Sequence, residues 1–100
     1  MIRPLKESDI PTIRNIYENA NNANDLPVEV DYFKKDALKY VSETIYKCEN
    51  AVFEIEGSVK GIISVSKDFI EGLFVDPDHF RTGIGQKLLE FFLSRKDRLY

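Results

Sequence analysis

The chain has 100 residues, of which 43% are hydrophobic, 31% charged and 12% aromatic, a composition typical of one soluble globular domain spanning 1–100. Its net charge is −3, and no apolar run approaches the ~18–20 residues that cross a bilayer, so we expect a cytoplasmic protein that binds neither nucleic acid nor membrane. One Cys and one His exclude an intrachain disulfide and a Cys/His zinc site made by this chain alone, and we expect no metal.

The first half of the chain predicts one strand and two helices. Ile2–Leu5 is a short strand, which Pro4 would restrict to the edge of a sheet or to a position whose N–H is not needed. Ser8 is the predicted N-cap of a helix, because apolar residues recur at helical spacing over 10–20. An Asn-rich loop at 19–27 ends this helix. The buried stripe of the second helix is predicted to comprise Phe33, Ala37, Tyr40 or Val41, Ile45 and Cys48.

In the second half the period changes from 3.6 to 2. Ala51–Glu56 and Val59–Ser66 are predicted strands joined by a two-residue turn at 57–58. A third strand follows at Phe69–Val75, where Gly72 indicates a bulge or a close backbone approach. From residue 83 the helical period returns, with a predicted buried face of Ile84, Leu88, Leu89 and Phe92. The order β-α-α-β-β-β-α predicts an α/β chain with a mainly antiparallel sheet.

The turn from the third of these strands into the last helix has the features of a phosphate site. This helix opens at Gly83-Ile84-Gly85. The first N–H groups of a helix lack internal partners and carry partial positive charge, and glycines let a phosphate approach them. A tight turn made only for packing is the alternative. A dinucleotide fingerprint is excluded because Leu88 occupies the place of its third glycine, and no Gly-Lys-Ser/Thr triplet of a Walker loop is present.

Charge is distributed unevenly along the chain. Residues 1–80 contain 9 Lys and Arg against 15 Asp and Glu, a net of −6, whereas residues 81–100 contain 5 against 2, a net of +3. A basic end on an acidic body could face an anionic ligand. The alternative is a solvated helix end whose cations complement the helix dipole.

The strand–glycine–helix segment resembles a known motif. It reads Leu-Phe-Val-Asp-Pro at 73–77 and, six residues after the proline, Gly-Ile-Gly-Gln-Lys-Leu-Leu at 83–89. This resembles the acetyl-CoA loop of the GNAT superfamily of N-acetyltransferases. The strict pattern covers about 70–93, and the predicted elements agree in order with the first four strands and three helices of that fold. The resemblance implies an N-acetyltransferase that uses acetyl-CoA as co-substrate and a small-molecule or peptide amine as acceptor.

The resemblance also implies which residues form the site. Phe74 and Val75 would pair with the pantetheine arm through backbone groups, and an amide near 73–75 would polarise the thioester carbonyl. Glu71 is the candidate base that removes the amine proton, the alternative being a solvent-facing strand carboxylate. The residues implied to bind the CoA diphosphate, mainly through backbone amides, are Arg81, Thr82, Gly83, Gly85 and Gln86.

The loop departs from the family pattern at two positions. Phe80 stands where the family usually has Arg or Gln, and Arg81 stands where glycine is frequent. Family members also continue into a fifth strand and a fourth helix, which often supplies the tyrosine that protonates the leaving thiolate. The sequence ends where that strand should begin, so this general acid is absent unless Tyr100 or a partner chain replaces it. A catalytically silent CoA-binding or interaction module is therefore the alternative function.

Two further expectations concern the amine pocket and the edge of the sheet. Four tyrosines could line the pocket or simply pack in the core. Without a fifth strand, the strand at 69–75 would present unpaired N–H and C=O groups. This predicts self-association as a homodimer, by edge pairing or by exchange of the C-terminal helix between two chains. The four tyrosines are Tyr17, Tyr32, Tyr40 and Tyr46.

Overall fold

The computed structural model describes residues 1–22, 37–96 and 99. Its main elements follow the predicted order, which is confirmed. Residues 19–22, predicted as the start of a loop, instead belong to the first helix, which extends to Asn22. Phe33 and the rest of the predicted loop lie outside the described residues. The helix α2 is described over 37–47 and is π-helical over Tyr40–Thr44. The elements are β1 (Ile2–Pro4), α1 (Ile10–Asn22), α2 (37–47), β2 (Glu49–Ile55), β3 (Ser58–Ser66), β4 (Phe69–Val75) and α3 (Ile84–Leu93).

The four strands form one antiparallel sheet in the order β1-β2-β3-β4. Neighbouring residues of a strand point to opposite faces. Accordingly, Val52 and Ile62 pack with α1 and α2 in one core, whereas Ala51 and Ile63 pack with α3 in a second core on the other face. Among the described strands β1 pairs only with β2, so Pro4 lies at an edge of the sheet, the first of its two predicted positions. No helix in the described part of the chain is long and apolar enough to span a membrane.

The hairpin turn between β2 and β3 lies at 56–57 rather than at the predicted 57–58. Ile55 pairs with Ser58, so Ser58 is the first residue of β3. Glu56 and Gly57 have φ values of 50° and 82°, the two left-handed residues that a type I′ turn requires. The predicted turn was one residue late because a glutamate gives no indication of the left-handed conformation that Glu56 adopts.

The first helix is capped differently from the prediction. Ser8 is exposed within a 3₁₀ turn at Glu7–Asp9 that precedes α1, and Lys6 occupies the N-cap position. The buried carboxylate of Asp9 accepts hydrogen bonds from the Lys6 backbone N–H at 2.8 Å and from Arg3 Nη1 at 2.8 Å. The hydrogen bond from Arg3 lowers the pKa of Asp9. This carboxylate, rather than a serine hydroxyl, joins the start of α1 to β1.

Two expectations for the buried helix faces also need correction. Cys48 follows the last residue of α2 in extended backbone and is only half-buried. Leu89 is half-buried as well, against the α3 core, while Ile84, Leu88 and Phe92 are buried as predicted. The prediction extended the second helix one residue too far, to Cys48, whereas α2 ends in a 3₁₀ turn at Ile45–Lys47.

The irregularity predicted near Gly72 is a β-bulge, and it determines where the candidate base lies. Ser64 pairs with Gly72 and Val65 pairs with Ile70, so Glu71 is the extra residue of β4. Because the bulge shifts the alternation of β4 by one residue, Ile70 packs with the α3 core although it lies four residues from Phe74.

The close approach predicted for Gly72 is also present. A Cβ on this residue would lie 2.8 Å from the ring and the hydroxyl oxygen of Tyr40. No real side chain tolerates such a distance, so glycine lets Tyr40 pack directly on the strand. Phe74, two residues further along β4, packs with the core formed by α1 and α2.

Candidate functional site

A cleft of about 580 Å³ lies between the end of β4, the start of α3 and α1; we call it the main cleft. It gathers six of the seven residues implied for coenzyme binding. The seventh, Thr82, lies between two of them, and its hydroxyl donates a hydrogen bond to the His79 carbonyl at 2.5 Å. The main cleft is lined by Ala20, Leu73, Phe74, Val75, His79, Phe80, Arg81, Gly83, Ile84, Gly85 and Gln86.

The first residues of α3 line the main cleft and carry backbone donors. The first hydrogen bond of this helix runs from Lys87 N to Gly83 O at 3.0 Å. The N–H groups of 84–86 therefore precede the first intrahelical bond, as at any helix start. Gly83 has a φ of 85°, and a Cβ placed there would meet no atom within 4 Å. Open space beside unpartnered amides is what an anion needs in order to bind.

A smaller cleft of about 250 Å³, the adjacent cleft, lies on the side of β4 that faces α1 and α2. The bulge places the exposed carboxylate of Glu71 here and not in the main cleft. Phe74 is common to both clefts. The described residues that line the adjacent cleft are Tyr17, Lys39, Tyr40, Thr44, Glu71 and Phe74.

The tyrosines of the adjacent cleft are at once core residues and cleft walls. Tyr17 and Tyr40 are buried, with ring centroids 5.3 Å apart. Burial raises the pKa of Tyr40 to about 12, so its hydroxyl remains neutral at physiological pH. Tyr46 is 65% exposed and lies away from both clefts, and Tyr32 lies outside the described residues.

A chain of hydrogen bonds fixes Tyr40. Its hydroxyl bonds to Ser64 Oγ, and Ser64 Oγ donates to Asn50 Oδ1 at 2.6 Å. Asn50 Nδ2 in turn donates to the Ile45 carbonyl at 2.7 Å. Ser64 is fully buried and pairs with Gly72 beside the bulge. The network therefore connects α2, β2 and β3 beside β4, the strand that carries Glu71.

Comparison with known proteins identifies the fold. No family model matches the chain. It is 26% identical over 101 residues to the peptidyl-lysine N-acetyltransferase YiaC of Escherichia coli K12, covering 99% of this chain and 68% of YiaC. A GCN5-related N-acetyltransferase from Rhodopseudomonas palustris superposes with a TM-score of 0.81 at 18% identity, covering 95% of this chain and 64% of that one. The chain has the GNAT fold.

Two further solved structures agree. The apo form of YjaB from Escherichia coli gives a TM-score of 0.83 at 21% identity, covering 99% of this chain and 67% of YjaB. A GNAT family acetyltransferase from Brucella melitensis, in complex with acetyl-CoA, gives 0.73 at 22% identity, covering 95% and 66%. The resemblance stated from the sequence is thus confirmed at the level of the fold. The chain spans about two thirds of the length of these four proteins.

The departure from the family pattern at Arg81 falls on a residue with left-handed backbone. This residue has a φ of 66°, in the left-handed region where a residue with a Cβ is strained by roughly 1–2 kcal/mol. The loop thus keeps, with an arginine, the backbone conformation that glycine adopts easily. Arg81 is exposed and lines the main cleft, so the strained conformation presents a guanidinium at the mouth of the candidate anion site.

Sequence reasoning missed several cleft residues. His79 is half-buried, and its buried Nδ1 has no hydrogen-bond partner in the described part of the chain. Phe80 is 41% exposed and lines the main cleft in spite of its departure from the family pattern. Ala20 reaches the cleft from α1, a contact across more than fifty residues of sequence. The loop position of His79 had suggested its place, but the favoured interpretation was an exposed loop residue, whereas His79 is half-buried.

Proposed function

We propose that this chain binds acetyl-CoA and transfers the acetyl group to an amine. The observation that carries the proposal is the row of N–H groups at 84–86, which have no backbone partner within the described part of the chain and lie at the main cleft beside the open space at Gly83. The CoA diphosphate lies there, held by amides from Arg81 to Gln86. The pantetheine arm follows the backbone of Phe74 and Val75. The acetyl-CoA complex of the Brucella protein supports the choice of acetyl-CoA as co-substrate.

The proposed chemistry is direct transfer within a ternary complex. The amine nitrogen forms a bond to the thioester carbonyl carbon, and the carbon–sulfur bond breaks with release of the thiolate. Glu71 accepts the proton of the attacking amine, and a backbone amide near 73–75 stabilises negative charge on the carbonyl oxygen. The acceptor, a small-molecule or peptide amine, enters through the adjacent cleft. The name of YiaC makes a lysine side chain the first acceptor to test.

Two measurements test the proposed function. Calorimetric titration with CoA and acetyl-CoA reports binding, and thiol release in the presence of lysine peptides and small amines reports transfer. Binding with transfer to at least one amine supports the proposal. Binding without transfer would instead support a silent CoA-binding module. The absence of any binding would leave the glycines of the loop with a packing role alone.

Replacing Arg81 with glycine should separate the effect of this residue on stability from its effect on CoA binding. Gly relieves the left-handed strain, but it also gains freedom in the unfolded chain, so the free energy of unfolding should change by less than about 1 kcal/mol. CoA affinity should fall by roughly tenfold because a guanidinium–phosphate contact is lost. Thermal unfolding and calorimetric titration measure the two quantities. Arg81→Lys, which keeps the charge, is the control; equal affinity of Arg81→Gly and the native chain would exclude the contact.

The edge of the sheet gives a prediction about assembly. Among the described residues, β4 pairs only with β3, and Phe69 and Leu73 are 54% and 37% exposed along it. We propose that two chains associate through this edge when CoA does not occupy it. Light scattering over a range of concentrations should show a dimer, and Phe69→Lys should shift it towards monomer. A native chain that stays monomeric throughout would contradict the proposal.

A further inference from the structure

Phe74 occupies the wall between the two clefts. It lines both the main cleft and the adjacent cleft. Its ring centroid lies 4.4 Å from that of Tyr17 and 5.4 Å from that of Tyr40. Both tyrosines are buried, at 8% and 5% exposure, and Tyr40 is also held by Ser64. The ring of Phe74 therefore forms a partition between the two clefts, and this partition packs against two buried tyrosine rings.

We infer that the ring of Phe74 limits the length of the acyl group that the site accepts. The inference rests on the proposed function, in which the coenzyme runs from the amides of 84–86 towards β4. The acyl group then reaches the end of the main cleft, where Phe74 separates it from Glu71. An acetyl group ends at this partition. A longer chain must occupy space that the ring already fills, and a densely packed interior does not open such space without strain.

Phe74 is placed to affect both the choice of acyl group and the alignment of the thioester for transfer. The reacting carbon must lie near the boundary between the clefts, because the amine approaches from the side of Glu71. The backbone of Phe74 aligns the thioester, while its side chain occupies the space beyond the acetyl methyl group. A smaller side chain would join the two clefts. Each further methylene of the acyl group could then be buried, which strengthens binding of the acyl-CoA by about fourfold.

Acyl-CoA binding tests the inference directly. The native chain, Phe74→Leu and Phe74→Ala would be titrated with CoA, acetyl-CoA, propionyl-CoA and butyryl-CoA. For the native chain we expect butyryl-CoA to bind at least tenfold more weakly than acetyl-CoA. The ratio should narrow in Phe74→Leu and approach or pass unity in Phe74→Ala, because two methylenes fit where the ring was. Leu93→Ala, an exposed truncation on α3, should keep the native ratio.

The outcomes separate this inference from the proposed function. If folded Phe74 variants keep the native ratio of acetyl-CoA to butyryl-CoA affinity, Phe74 is a packing residue and the inference is wrong. The same conclusion follows if the native chain binds butyryl-CoA as tightly as acetyl-CoA. If the native chain binds no CoA species at all, the coenzyme site itself is wrong. Circular dichroism reports whether each variant folds. If Phe74→Ala unfolds, Phe74→Leu, which retains most of the apolar volume, still tests the inference.

Discussion

Replacing Gly83 with aspartate is expected to abolish CoA binding, with a loss of at least 100-fold in affinity. The aspartate would place a carboxylate at the N-terminus of α3, in the open space that the diphosphate is proposed to fill. Two unit charges of the same sign 4 Å apart repel by about 4 kcal/mol at an effective dielectric constant of 20. Calorimetric titration of the native and variant chains with CoA measures the loss.

Gly83→Asn is the matched control for this experiment. Asparagine has nearly the same shape as aspartate, and both tolerate the left-handed φ of 85° better than other residues with a Cβ. Any loss shared by the two variants reports the added side chain and the backbone, whereas the difference between them reports the charge. We expect Gly83→Asn to retain measurable binding. If aspartate and asparagine weaken binding equally, the diphosphate does not lie at this helix terminus.

The main cleft could be predicted from the sequence because its elements are local. Most of its lining comes from one continuous segment, 73–86, in which a strand, a loop and a glycine-bearing helix start follow one another. Each of these has a short-range signal: the period of 2, the two glycines and the return of the helical period. The conformation of Arg81 had no such signal, since an arginine gives no indication of a positive φ.

The adjacent cleft could not be predicted in the same way because three distant segments form it. Tyr17 comes from α1, Tyr40 and Thr44 from α2, and Glu71 from β4. A glycine in β4 indicated an irregularity, but which residue bulges depends on the register with β3. That register involves Ser64, whose hydroxyl is bonded to Tyr40. Only tertiary packing determines this, which is why the sequence offered Glu71 as a candidate without its surroundings.

Glu71→Gln is expected to lower turnover by about 100-fold while leaving CoA affinity within twofold of the native value. The amide preserves the shape of the side chain but cannot accept the proton of the amine, and general-base catalysis contributes at least this factor. Glu71 lies outside the main cleft, which is why coenzyme binding should not change. Steady-state rates with the best acceptor amine, together with calorimetric titration of CoA, measure both quantities.

The control is Glu56→Gln, which makes the same chemical change in the exposed β2–β3 turn and should leave both quantities unchanged. The pH–rate profile supplies an independent criterion. If Glu71 is the base, the low-pH limb of the native profile should disappear in Glu71→Gln and persist in Glu56→Gln. An unchanged rate and profile in Glu71→Gln would make Glu71 a solvated strand carboxylate. The bulge would then serve the alignment of Phe74 and the backbone amides, and the proton of the amine would leave through water.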